Sequence, residues 1–165
     1  GADGLLTAAG TQILRFDIDS DPPVPDASRV PDKLRELPPM LESTRTRSWE
    51  FDRENDVWTA NDNLFDEVEP PARIKRGNPE IWRLRGKGSW HHPVHIHMEE
   101  GRILSRNGKP PPPHERGRKD VFVLHPGEEV RVYIRFRDYL GRYVMHCHNL
   151  IHEDHDMMVQ FEIVP

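Results

Sequence analysis

The sequence predicts an all-β chain folded as an antiparallel sandwich or barrel, and three observations carry that prediction. Short stretches alternating apolar and polar residues recur at close spacing, bounded by Gly, Pro, Asn or Asp; this is how strands with one buried face read. Sixteen prolines spread over 165 residues argue against long helices, because each removes a backbone N–H and clashes with the preceding turn. Cys147, the one cysteine, lies between His146 and His148. Neighbours on an extended chain face opposite ways, so this strand would turn a thiol to one side and two imidazoles to the other.

The totals bound the rest. The length suits one ordinary domain. A net charge of -5 with both signs interspersed leaves no nucleic-acid footprint. No apolar run reaches membrane-spanning length and no signal peptide opens the chain. A single cysteine cannot form an internal disulfide.

Thr11 to Ile18 reads as a strand, with Leu14, Phe16 and Ile18 alternating with polar partners. Six prolines follow between Asp21 and Pro39, so residues 21–44 are expected to be an extended linker. A lone strand is not stable; residues 1–20 are therefore expected to complete a sheet belonging to something else, either another chain or an upstream part removed from this one. Residues 45–165 form the main domain. Its first strand is Thr44 to Phe51, with Trp49 and Phe51 on one face, then Val57 to Ala60 and a turn at Asn61-Asp62-Asn63. Trp49 and Trp58 read as core anchors. After a turn at Gly77-Asn78-Pro79 come strands at Glu80 to Leu84 and Val94 to Met98, the latter continued past Gly101 by Arg102 to Ser105. Asn107 to Gly117, with Pro110 to Pro113, is a loop. Asp120 to Leu124 is a strand and Pro126-Gly127-Glu128 a turn. Val130, Val132, Ile134 and Phe136 then face inward against Arg131, Tyr133, Arg135 and Arg137. Tyr143 to His148 is the cysteine strand, Asn149 to Asp156 one or two helical turns, and Val159 to Val164 the closing strand.

Ligand-type residues form two blocks, His92-Pro93-Val94-His95-Ile96-His97 and His146-Cys147-His148 with His152 and Met157 beyond it. One thiolate, two imidazoles and a weak thioether make a blue-copper ligand set. His92 lies an odd number of residues from His95 and His97, so it can face differently. His92, Cys147, His152 and Met157 are therefore assigned to one copper, and His95, His97, His146 and His148 to a second cluster. A structural zinc site is the competing reading, but it usually carries several thiolates.

The two blocks together resemble the last cupredoxin domain of a three-domain multicopper oxidase, in the bilirubin oxidase and spore-coat laccase branch. The resemblance runs along His146 to Met158 and Trp90 to His97. It extends to Glu115-Arg116-Gly117, Lys119-Asp120 and Gly141-Arg142-Tyr143. It implies a cupredoxin-like Greek-key β-sandwich or barrel with a short helical turn after the cysteine ligand. It also implies type 1 copper at His92, Cys147, His152 and axial Met157, type 2 copper at His95, and the type 3 pair at His97, His146 and His148. Electrons from a small reducing substrate would pass from Cys147 through the adjoining histidines to a trinuclear cluster that reduces dioxygen to water. The family builds that cluster from eight histidines, and no further His-x-His occurs here: His91, His114, His125 and His155 are scattered. The chain is therefore expected to be the small subunit, or the cleaved C-terminal third, of such an enzyme, its partner a large subunit carrying the first cupredoxin domains and four more histidine ligands. The expected location is the periplasm or the exterior.

Smaller expectations follow. Glu153 relays protons to the dioxygen site. Asp154 caps the turn or supports a ligand, Met158 is core, and Arg118 is exposed. An axial Met favours easily oxidised phenols, aminophenols, tetrapyrroles or metal ions. The competing functions are a blue-copper electron carrier and a copper nitrite reductase-like subunit, and both leave histidines unused.

Overall fold

A computed structural model describes residues 14–17, 20, 24–32 and 34–165. Two units divide the chain, Gly1–Pro38 and Pro39–Pro165. In the first, the described residues have no regular structure, and Leu14 and Phe16 are exposed. The remainder of the strand expected at Thr11 to Ile18, residues 11–13 and 18, lies outside the described residues.

The second unit is nearly all β. Its strands are β1 (Arg45–Glu54), β2 (Val57–Ala60), β3 (Arg73–Lys75), β4 (Pro79–Gly86), β5 (His92–Ile96), β6 (Gly101–Arg106), β7 (Arg118–Lys119), β8 (Val121–Leu124), β9 (Glu129–Arg135), β10 (Gly141–Cys147) and β11 (Met158–Val164). One helical turn, α1 (Leu150–Glu153), follows the cysteine. Two sheets result, ordered β2-β1-β4-β9-β6-β7 and β3-β11-β10-β5-β8. Trp82, Phe51, Phe122, Phe136 and Phe161 fill the space between them, each at most 1% exposed. This core follows from the alternation: Val130, Val132 and Ile134 of β9 are wholly buried, as a period-2 pattern with one apolar face requires.

Three features depart from the expected antiparallel sandwich. The β1–β4 and β3–β11 ladders are parallel. The three-residue β3 and two-residue β7 are edge strands, too short to show alternation. The segment after Gly101 does not continue β5 but crosses into the other sheet as β6. Met98 lies at the crossing with φ of 80°, left-handed backbone that a non-glycine residue adopts at a cost. A Cβ on Gly101 would collide with the Val132 side chain and come within 3.2 Å of Phe122, so the crossing needs glycine. Among the described residues, no helix is long and apolar enough to cross a membrane.

Candidate metal centre

Strand β10 runs between β11 and β5, in register with His146 opposite His95 and Cys147 opposite Val94. Directly opposed residues share a face of the sheet. His95 and His146 therefore emerge together, and Cys147 points the other way, inward with Val94. On β5 the same alternation sends His92 inward. The chain then turns at Asn149, whose side-chain oxygen accepts the Ile151 N–H and caps α1. That turn brings His152 back over Cys147.

His92, Cys147 and His152 are each at most 1% exposed, and their donor atoms lie within 4.8 Å of one another. The Cys147 Sγ is 3.4 Å from His152 Nδ1 and 3.8 Å from His92 Nδ1. Burial pushes the His92 imidazole down to about 3, helped by the neighbouring His152 and His91 rings. At neutral pH the ring is uncharged and keeps a lone pair for a metal. Met157 is fully buried. Its carbonyl accepts the Cys147 N–H at 3.0 Å, and its own N–H donates to the His152 carbonyl at 3.1 Å. Backbone hydrogen bonds thus tie Cys147, Met157 and His152 together, and burial adds His92 to the set.

One wall of this site was not foreseen. Trp58 is core, as expected, but it also stacks on His152, with ring centroids 3.6 Å apart and 24° between planes. Trp90 meets both rings edge-on, and the Arg53 guanidinium lies over both tryptophans, 5.1 and 5.5 Å from their centroids. Nothing in the alternation of β2 distinguishes a tryptophan that touches His152 from one that fills the core.

The opposite face carries the other four histidines. His95, His97 and His146 bring donor atoms within 4.8 Å of one another, and His97 Nε2 is 3.2 Å from His146 Nε2. The His148 ring lies 5.4 Å from the His146 ring and 5.8 Å from the His95 ring, and the His148 backbone N–H donates to the Pro93 carbonyl at 2.6 Å. Partial burial and the adjacent His95 and His146 rings lower the pKa of His97. The His95 Nδ1 contacts the Asp120 carbonyl oxygen at 3.2 Å, which aims the other ring nitrogen at the cluster. Glu153 places a carboxylate oxygen 3.3 Å from His146 Nδ1.

Two expectations are corrected and a third, the capping role of Asp154, is narrowed to its backbone. Arg118 is not exposed: its side chain is 10% accessible and pairs with Glu99 at 2.5 Å and Glu100 at 3.1 Å. Arg137, itself exposed, also binds Glu99, so the buried Glu99 carboxylate is paired twice and holds Arg118 inward. Met158 is half-buried rather than core, because it pairs with His146 on the outer face of β10–β11. Asp154 is exposed and closes α1 only through its backbone N–H; Asn149 supplies the side-chain cap.

A sequence-family model described as multicopper oxidase matches residues 37–165. The chain is 39% identical over 158 residues to a bilirubin oxidase of Albifimbria verrucaria, covering 91% of this chain and 28% of that protein. It is 37% identical over 108 residues to a laccase of Haloferax volcanii, covering 64% and 19%. Among solved structures, a multi-copper oxidase from Pediococcus acidilactici superposes with a TM-score of 0.77 at 31% identity, over 84% of this chain and 30% of that one. The chain thus spans less than a third of the length of these relatives. Its two curled sheets are those of a cupredoxin-like domain, and the chain belongs to the multicopper oxidase family.

Proposed function

We propose that this chain is the copper-bearing C-terminal part of a laccase-like oxidase. Its type 1 copper would be held by His92, Cys147, His152 and Met157. Its share of a trinuclear cluster would be His95 at the type 2 position and His97, His146 and His148 at the type 3 pair. The donor chemistry fits: one thiol, two imidazoles and a buried thioether on one face, imidazoles alone on the other. Bound copper supplies one-electron redox chemistry, taking single electrons from a reducing substrate and passing them to dioxygen.

The observation that carries this reading is the division of β10. Cys147 faces inward, and the residues bonded to it on either side, His146 and His148, face the outer cluster. Two peptide links thus join the two sites, so neither substrate nor oxygen need reach the other's face. Four substrate electrons and four protons convert one dioxygen to two waters. Glu153, whose carboxylate lies 3.3 Å from His146 Nδ1 on the outer face, would hand protons across. Substrates that release electrons readily fit an axial thioether, namely phenols, tetrapyrroles or low-valent metal ions.

The outer cluster needs four further histidines from outside these 165 residues, on a partner carrying the preceding cupredoxin domains. The test is copper content and oxygen uptake of the chain together with whatever co-purifies with it. About four coppers per assembly with oxygen consumption is the expected result. One copper and no uptake beside the natural partner would instead support an electron carrier. Replacing Glu153 with Gln should slow turnover by roughly a hundredfold at unchanged blue colour; unaltered turnover removes the relay.

A further inference from the structure

We propose that His91 and His125 form an additional metal-binding site on the outer surface, one that takes a divalent first-row transition-metal ion. The β5–β8 ladder pairs His92 with Leu124 and Pro93 with Val123. One more step in that register sets His91 opposite His125. Side chains directly opposed on antiparallel strands start about 5 Å apart at Cβ. The two rings sit accordingly, with centroids 5.1 Å apart and planes at 82°. His92 and Leu124 are wholly buried, so alternation turns the next pair outward, and both His91 and His125 are exposed.

The backbone beneath His125 is fixed before any ion arrives. The His125 N–H donates to the Glu128 carboxylate at 3.0 Å, and the Glu128 N–H returns to the His125 carbonyl at 3.0 Å. Arg106 holds that carboxylate at 2.9 Å. Gly86 leaves room for the carbonyl, since a Cβ there would stand 3.0 Å from it. Two imidazoles held one step beyond the end of the same ladder act as a chelate: once the first binds, the second is already at high local concentration. Imidazole suits zinc, copper and nickel. With two protein ligands the remaining positions stay with water, so the ion exchanges freely. His91 is bonded to His92, which places the ion one residue from the buried Cys147 site. The proposal does not depend on the oxidase reading, because it concerns binding alone.

The test is calorimetric titration of Zn2+, which is redox-silent, into the copper-loaded protein with any partner it retains. The native protein should bind one Zn2+ that His125→Ala weakens at least about tenfold, the loss of a chelating arm. The blue band should be unchanged, showing that the fold and inner site persist. His114→Ala, which removes an exposed histidine elsewhere, should bind as the native protein does. Absence of Zn2+ binding, equal affinity in His125→Ala, or an equal loss in His114→Ala would each overturn the site.

Discussion

The two faces of β10 differ in completeness. On the inner face, Cys147 meets His92, His152 and Met157, all supplied by this chain and all out of contact with water. On the outer face, His146 is buried, His95 and His97 are half-buried and His148 is exposed. The inner set is closed by hydrophobic packing, with Trp58 against His152 and the sheet core behind Cys147. The outer set is a half-shell of imidazoles partly open to solvent, with the Glu153 carboxylate against His146. A site that closes on itself can be preorganised by one fold. A half-shell becomes a site only when more ligands arrive, so the two faces should fail differently when damaged.

The sharpest way to break that contrast is to cut one face at a time. Cys147→Ser removes the thiolate that defines the inner set. It should abolish the blue band and lower substrate oxidation by at least about four orders of magnitude, some 5 kcal/mol of barrier. His148→Ala touches the exposed face and should leave the blue band intact while oxygen uptake falls. Visible spectra and oxygen-electrode rates of both variants decide it; loss of the blue band in His148→Ala would mean that the two faces are not separable.

Trp58 tests how far the inner face depends on packing. Trp58→Ala opens a cavity against His152 and should cost about 3–5 kcal/mol of stability, read from denaturant midpoints at equal copper loading. Trp58→Phe keeps a ring over His152 and should cost less, with a smaller change in the blue copper's spectrum. If both variants change the spectrum equally, the stack does not set the position of His152.

The same residues show what a sequence can and cannot carry. The split of histidines between faces was legible, because it needs only the two-residue period of a strand and the positions of His92, His95, His97, His146 and His148. The inward face of β9 was legible for the same reason. Partners distant in sequence were not: Arg118 meets Glu99 across the β6–β7 edge, Trp58 meets His152 across the sandwich, and His91 meets His125 across β5–β8. Nor was the crossing from β5 to β6, since a strand's sequence does not say which sheet it joins. A domain boundary was expected near residue 44; the compact unit begins at Pro39, and its first strand at Arg45.

Away from both faces, the Arg106–Glu115 pair fastens the proline-rich loop and serves as a control. The Arg106 guanidinium, with Lys119, holds the Glu115 carboxyl down to about 2 from its usual 4.5. The unfolded chain takes up this proton near pH 4.5 and the folded chain only near 2. The stabilisation is therefore complete above about pH 4.5, shrinks on acidification and is gone below about 2. Its size is on the order of 3 kcal/mol. Unfolding free energies measured between pH 5 and 3 should fall more steeply for the native protein than for Glu115→Gln, whose blue band at neutral pH should be unaltered. Parallel slopes would show that the carboxylate contributes nothing particular to acid stability.

The smallest expected effect falls at the joint between the faces. Asn149 follows His148 of the outer set, and its side chain caps the turn that carries His152 of the inner set. Removing the cap with Asn149→Ala should cost about 1 kcal/mol, because a four-residue turn has few hydrogen bonds of its own and leans on its first one. The cost should fall on one side only. His148 is fixed by its N–H to Pro93 and does not need the cap, whereas His152 rides on α1. The variant should therefore broaden the blue copper's electron paramagnetic resonance signal while leaving the outer cluster's copper content unchanged. Loss of copper from the outer cluster instead would mean that His148 depends on the turn, and that the two faces share a support as well as a strand.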